Sequence, residues 1–221
     1  MARRLVLLLG SVLLIGALAP AAALADSPEG YRVISYRHAD GSFASADGCV
    51  GTEVFFGSGA AVYGARPGPV NKQAGPTDVL VILSDICAEP VGKGYPVIAL
   101  WQGQAMIGLE SDAQLNRAWV DATFTVYDEA GAAETAHMEM VWESTGRATR
   151  DPVHSHVRFP GEAVVNSHDN NTFVDAVATG SVSIGDWSVA IATTDAHLSS
   201  VKAGCQVIVH PQAVDADFDC V

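Results

Sequence analysis

The sequence predicts an all-β protein, an antiparallel β-sandwich of jelly-roll-like or Ig-like form, and three observations carry that prediction. Residues 117–146 read as a hairpin with one apolar face, no stretch of the chain shows a helical period, and short strand patterns separated by Gly and Pro turns run through the rest. In the hairpin, Ala118, Val120, Ala122, Phe124 and Val126 alternate with Trp119, Asp121, Thr123, Thr125 and Tyr127, the period of two required of a strand with one buried face. The return segment sets Met138, Met140 and Trp142 on one face and His137, Glu139, Val141 and Glu143 on the other, so both strands build one apolar surface. A lone hairpin cannot bury such a surface. The remaining strands have to supply an opposing sheet.

The chain opens with a basic start at Arg3 and Arg4, an apolar run over 5–18, and small residues ending in Ala23-Leu24-Ala25. This is the pattern of a secretory signal peptide cleaved near Ala25, and the apolar run is shorter than the ~20 residues that span a bilayer. Residues 26–221 then form a single large β-sandwich domain, with the polar link 147–152 as its one candidate boundary. The chain carries 25 Asp and Glu against 12 Lys and Arg, and cleavage removes Arg3 and Arg4 but no acid. So acidic a chain repels nucleic acid and anionic membrane surfaces, and neither is expected as a partner once the signal is cleaved. With 49% hydrophobic and only 17% charged residues, the composition is that of a packed globule rather than a disordered chain.

Taken in order, 31–37 and 42–46 read as strands with a turn at Asp40-Gly41, and Asp47-Gly48 is a second turn signal. Residues 49–56 form a strand, and 78–86, DVLVILSDI, form another that is apolar enough to be buried on both faces. Between them, 57–77 is rich in Gly and Pro and reads as the one long loop, with a short strand over 60–63. A strand over 97–102 leads into the hairpin. Beyond it, 153–159 and 162–168 are strands around Pro160-Gly161, and Asp169-Asn170-Asn171 is a turn. Gly185-Asp186 is a two-residue connection between 173–184 and 187–193, with Ile184, Trp187, Val189 and Ile191 facing the core. Strands 196–201 and 205–210, joined through Ala203-Gly204, precede an acidic tail over 211–221.

Four cysteines, Cys49, Cys87, Cys205 and Cys220, follow the export signal, where oxidising conditions favour disulfides. No C-x-x-C pair offers a four-cysteine zinc site. Four cysteines permit three connectivities. Setting 49–56 antiparallel to 80–87, with Phe56 opposite Leu80, places Cys49 against Cys87 and leaves Cys205 to tie the tail through Cys220, for two disulfides in all. The Cys-bearing strand pair, the strand carrying Trp119 and the segment Val141-Trp142-Glu143-Ser144-Thr145-Gly146 resemble exported β-rich bacterial proteins to which no function is assigned. The resemblance covers the middle of the chain and implies no activity and no site residues.

The sharpest chemical signal is His154-Ser155-His156. Alternate residues of a strand point to one side ~7 Å apart, a spacing at which two imidazoles can share one metal ion. Glu162 and His168 add donors nearby, and the set resembles the metal motif of cupins, which implies a divalent transition metal such as zinc held by His154, His156, Glu162 and His168. The sequence departs from that motif: five residues separate His156 from Glu162, more than the family places there, and its glycines and second motif are missing. The plain alternative is a pair of exposed histidines on an edge strand. Elsewhere Gly57-Ser58-Gly59 is a loop element and not a nucleophile elbow, and phosphate-cradling loops are absent. Asp215, Asp217 and Asp219 lack the glycine and closing Glu of a calcium loop. Glu139 and Glu143 share a face, but four residues at ~3.4 Å each exceed the ~5 to 9.5 Å carboxylate separation of glycosidases. Trp101, Trp142 and Trp187 read as core, with Trp119 facing out. No catalytic residue and no cofactor emerges. The expectation is a non-enzymatic exported binding module of the cell envelope or extracellular space, taking an extracellular ligand or protein partner; the alternative is a metal-binding or cupin-like enzyme on the His154/His156 strand.

Overall fold

The computed structural model describes residues 31–66, 70–159 and 163–209. Residues 1–30, where the export signal is expected, Glu162, the side chain of Cys205 and the tail bearing Cys220 lie outside the described residues, so the expected Cys205 to Cys220 bridge does too. Among the described residues there is no helix. The strands are β1 (Tyr31–Asp47), β2 (Val50–Arg66), β3 (Val70–Asp85), β4 (Val97–Met106), β5 (Glu110–Ser111), β6 (Arg117–Asp128), β7 (Ala133–Ser144), β8 (Thr149–Phe159), β9 (Ala163–Ile184) and β10 (Trp187–Val209).

The all-β, antiparallel class expected from alternation is the class observed. The expected pair of face-to-face sheets is not: the strands form one sheet, ordered β10-β1-β2-β3-β4-β6-β7-β9, in which β9 also pairs with β10 and so returns the ladder to its start. Closure satisfies the edge strands that a sandwich would leave open. The weakest seam is β4 to β6, joined only through Trp101 with Asp128 and Gln102 with Tyr127. Strand β8 continues the line of β7 along β9: Ser144 pairs with Ala176, and Thr149 with Phe173. The candidate boundary at 147–152 thus falls where one edge of β9 passes from β7 to β8.

The hairpin that organises the sequence organises the core. Arg117–Asp128 and Ala133–Ser144 pair with Val120 opposite Met140 and Ala122 opposite Met138, and Ala118, Val120, Ala122, Phe124, Val126, Met138, Met140 and Trp142 are all buried. Trp142 packs on Phe56, ring centroids 5.9 Å apart, and its indole N–H donates to the Asp40 carbonyl at 3.1 Å, linking β7 to β1 and β2. Ile184 and Ile191 are buried, with Trp187 and Val189 packed against the core, as the Gly185-Asp186 turn leads one to expect. One end of this interior is capped by 107–116. Leu109 and Leu115 are buried there, the Leu109 N–H donates to Gly59 O, and Arg37 reaches from β1 to donate to Ser111 O, Ser111 Oγ and Asp112 O.

Several turn expectations yield to longer strands. Residues 57–66 and 70–77 belong to the paired strands β2 and β3 rather than to a loop, with a bulge where Ser58 pairs with Thr77 and Ala60 with Ala74. A Cβ on Gly75 would lie 2.5 Å from the Gly59 carbonyl carbon, so these glycines permit close backbone approach inside the sheet. Asp40-Gly41 and Asp169-Asn170-Asn171 lie within β1 and β9, and Ala203-Gly204 within β10. Cys49 and Cys87 are bridged, with Cα atoms 5.0 Å apart. The register differs by one residue from the expected one: Phe56 faces Val79, and Phe55 faces Leu80. Cys87 still meets Cys49 because the chain turns after Asp85, whose carboxylate accepts from the N–H groups of Cys87 and Ala88.

Candidate functional site

The 78–86 strand is not buried on both faces. Val79, Val81 and Leu83 point inward and are buried, while Leu80 and Ile82 are half-buried on the outer face. That outer face holds a groove of about 920 Å³ across β10, β1, β2, β3, β4 and the end of β6. Strand pairing builds it as two parallel rows. The first runs His197, Asp40, Gly57, Asp78, Gln104, each directly opposite the next on the neighbouring strand. The second runs Ser42, Phe55, Leu80, Gln102, Tyr127. The rows are two residues apart along each strand, ~7 Å. One is rich in carboxylate and imidazole, and the other presents an aromatic ring at Phe55, an aliphatic side chain at Leu80 and a phenol at Tyr127. Phe55 and Tyr127 are 45% and 50% exposed, large apolar surfaces left open on a face whose opposite side is fully packed.

Gly57 is the floor of the first row, between Asp40 and Asp78. A Cβ there would lie 3.3 Å from Asp78 Oδ1 and 3.3 Å from His38 Nε2, so the bare glycine lets these two polar groups converge from β3 and β1. Burial pushes the Asp78 carboxyl above its ordinary value; His38 pulls it back, and the nearby Asp40 carboxylate adds to the rise. Among the described residues no hydrogen-bond donor holds the Asp78 carboxylate. At the other end of the row, His197 lies between two acids, its Nδ1 4.0 Å from Asp40 Oδ1 and its Nε2 3.7 Å from Asp175 Oδ1. These half-exposed contacts contribute less than about 1 kcal/mol each. Ser42 donates to Asp195 at the rim. The arrangement has carboxylates and amides to orient a ligand and an apolar wall to hold it.

The residues singled out by the metal motif lie elsewhere. Thr149–Phe159 is paired on one side by β9, and 149–157 are exposed throughout. His154 sits opposite His168, their Nδ1 atoms 2.7 Å apart and their rings edge to face at 4.9 Å. His156 instead meets Asn166, Nδ1 to Oδ1 2.6 Å. The sheet therefore brings His154 and His168 together and turns His156 to another partner, while Glu162 lies outside the described residues. Among the described residues no group of three His, Cys, Asp or Glu is placed to hold a metal ion. Of the tryptophans, Trp119 is exposed as expected; Trp101 stacks on Trp187 at 5.9 Å and donates to Glu134 Oε1.

Sequence reasoning missed the groove. Its signal was present in 38–43, where His38, Asp40 and Ser42 alternate with Ala39, Gly41 and Phe43, but Asp40-Gly41 was the stronger turn pattern. Compared with known protein families, characterised proteins and solved structures, the chain matches none.

Proposed function

We propose that the protein is an exported, non-enzymatic binding module of the cell envelope or extracellular space, and that its ligand lies in the outer groove of β1 to β4. One observation carries this reading: Gly57 opens a floor within a carboxylate-bearing row that runs beside an aromatic row on the same face. The exposed bridge from Cys49 to Cys87, joining the turns beside β2 and β3, suits an oxidising compartment. The outer face of the β6–β7 hairpin carries Arg117, Asp121, Glu139 and Glu143, all exposed, the reverse of the apolar exterior of a membrane barrel. Among the described residues no helix is long and apolar enough to cross a membrane. The test is ligand-observed NMR of the exported protein against a mixed set of small cations, anions and neutral polyols, with Gly57→Leu as the filled-groove control. Binding that disappears in Gly57→Leu, with the ligand recovered unchanged, supports the reading. Binding that is indifferent to Gly57→Leu rejects it.

A second reading, a metal-binding protein or cupin-like enzyme, is favoured by the meeting of His154 with His168. A divalent transition metal such as zinc would replace the hydrogen bond between these ring nitrogens, which would part to tetrahedral spacing, with His156 and Glu162 as the remaining candidate donors. Elemental analysis without a His tag, followed by zinc titration of the wild type and His168→Ala, decides it. Near-stoichiometric metal lost in the variant supports a metal centre; identical weak titrations dismiss it.

A further inference from the structure

Resting on the groove reading, we infer that the ligand is an amphipathic organic cation: an ammonium or amidinium group seated against Asp40 and Asp78, with an aromatic or aliphatic body lying along Phe55 and Leu80. Charge points this way first. Three carboxylates, Asp40, Asp78 and Asp195, line the groove, and its basic side chains are the imidazoles of His38 and His197, with no Lys or Arg, in a chain whose formal net charge is −13; such a cleft concentrates cations.

The second argument is the state of Asp78. It is half-buried, with the His38 imidazole to one side and the Asp40 carboxylate to the other, and no hydrogen bond to it is formed among the described residues. Asp195 has Ser42, and Asp40 has His197. A half-buried carboxylate without a donor is destabilising by itself, and an arriving cation supplies both the countercharge and the N–H donors that are lacking. The third argument is dimension. Phe55 lies two residues before Gly57 and Leu80 two after Asp78, on the same face, so the apolar wall begins ~7 Å from the carboxylates. That is the reach of a phenethylammonium ion, whose nitrogen and ring would occupy the two rows together. The exposed face of Phe55 offers the ring a stacking partner.

The experiment uses the full chain expressed with its own leader and purified as the host releases it. Phenethylammonium and its neutral isostere phenethyl alcohol are titrated by chemical-shift perturbation into the wild type, Asp78→Asn, Asp40→Asn, and Glu139→Gln as an outward-facing control on β7. We expect phenethylammonium to bind at least tenfold more tightly than the alcohol, both Asp variants to lose that preference, Glu139→Gln to keep it, and added salt to weaken the cation alone. If the alcohol binds as well as the cation and Gly57→Leu abolishes both, the groove stands and the cation assignment is overturned. If neither probe perturbs groove residues, while another member of the mixed set binds and is blocked by Gly57→Leu, the cation assignment fails alone. If nothing binds in a manner sensitive to Gly57→Leu, the groove reading fails with it. Asp78→Asn is isosteric, and its amide spectrum shows directly whether it folds.

Discussion

The β6–β7 hairpin and the β8–β9 ladder are both antiparallel pairs on one sheet, and they differ in what lies against them. The inward residues of β6 and β7 from Ala118 to Trp142 meet the core, and the outward positions are mostly charged or polar, with Trp119 and Val141 as the large apolar exceptions. Along 149–157 every side chain is exposed, on both faces. Its cross-strand contacts are polar: His154 with His168, Ser155 with Ser167 at 2.6 Å, and His156 with Asn166. Backbone pairing makes both of them strands, whereas an opposing layer makes only one of them amphipathic. Pro152 within β8 is consistent with this, since proline is tolerated on an edge that needs no second ladder.

The largest expected effect sharpens that contrast. Trp142 has no exposed surface, packs on Phe56 and donates to the Asp40 carbonyl, so Trp142→Ala should destabilise the chain by about 3 to 5 kcal/mol. Phe173, opposite Thr149 and 49% exposed, should lose less than about 0.5 kcal/mol on the same truncation. Urea unfolding of the two variants measures both. Equal losses would mean that the β8–β9 ladder is covered in solution, and the contrast would collapse. Because Trp142 also fixes the backbone of Asp40, Trp142→Phe should weaken ligand binding in the groove while preserving most of the packing.

A smaller effect belongs to the far end of the β2–β3 hairpin. The bridge between Cys49 and Cys87 closes a loop with a sequence separation of 38, and removing it with a Cys49→Ser, Cys87→Ser double variant should lower stability by about 2 to 4 kcal/mol. Hydrogen exchange should quicken first in 50–56 and 79–85 and leave 163–173 unaffected. Uniformly faster exchange in all strands, β9 included, would show that the bridge acts through the unfolded chain alone.

What the sequence made legible follows the same division. The two faces of the β6–β7 hairpin were readable because strand alternation persists on both sides of a polar turn, and the Gly185-Asp186 turn was readable because β9 ends at Ile184 and β10 begins at Trp187. Closure was not: it depends on β9 pairing with β10 and β10 with β1, and no local pattern encodes a partner so distant along the chain. Glycine misled most. Gly41, Gly59 and Gly75 punctuate the sequence like turns, yet each lies in a strand where a side chain would collide with Phe56, Tyr36 or the facing backbone. The groove was hidden for the same reason, since its polar row is assembled from five strands that contribute one residue each, and only the register joins them.

The smallest effect tests the groove where the packed barrel gives way to the longer strands. In the folded chain the Asp78 carboxyl titrates above its ordinary value of 3.8, chiefly because burial disfavours its charge. Between the unfolded and folded values the folded state therefore keeps a proton that the unfolded state has released. Stability falls as pH rises through that window, and the loss is complete above the folded value, including at neutral pH. Asp78→Asn removes the charge, so it should raise Tm at pH 7, by no more than about 2 to 4 °C, the shift that about 1 kcal/mol gives in a chain of this length. Below 3.8 both states of the wild type are protonated and the advantage should vanish. Thermal melts from pH 3 to 8 would show the gap opening with pH, and a variant less stable than the wild type at pH 7 would mean that a donor holds the carboxylate in solution. A carboxylate that lowers stability at neutral pH while sustaining binding of a cation marks a functional site rather than a structural one, because a residue kept only for packing would lose nothing on becoming an amide.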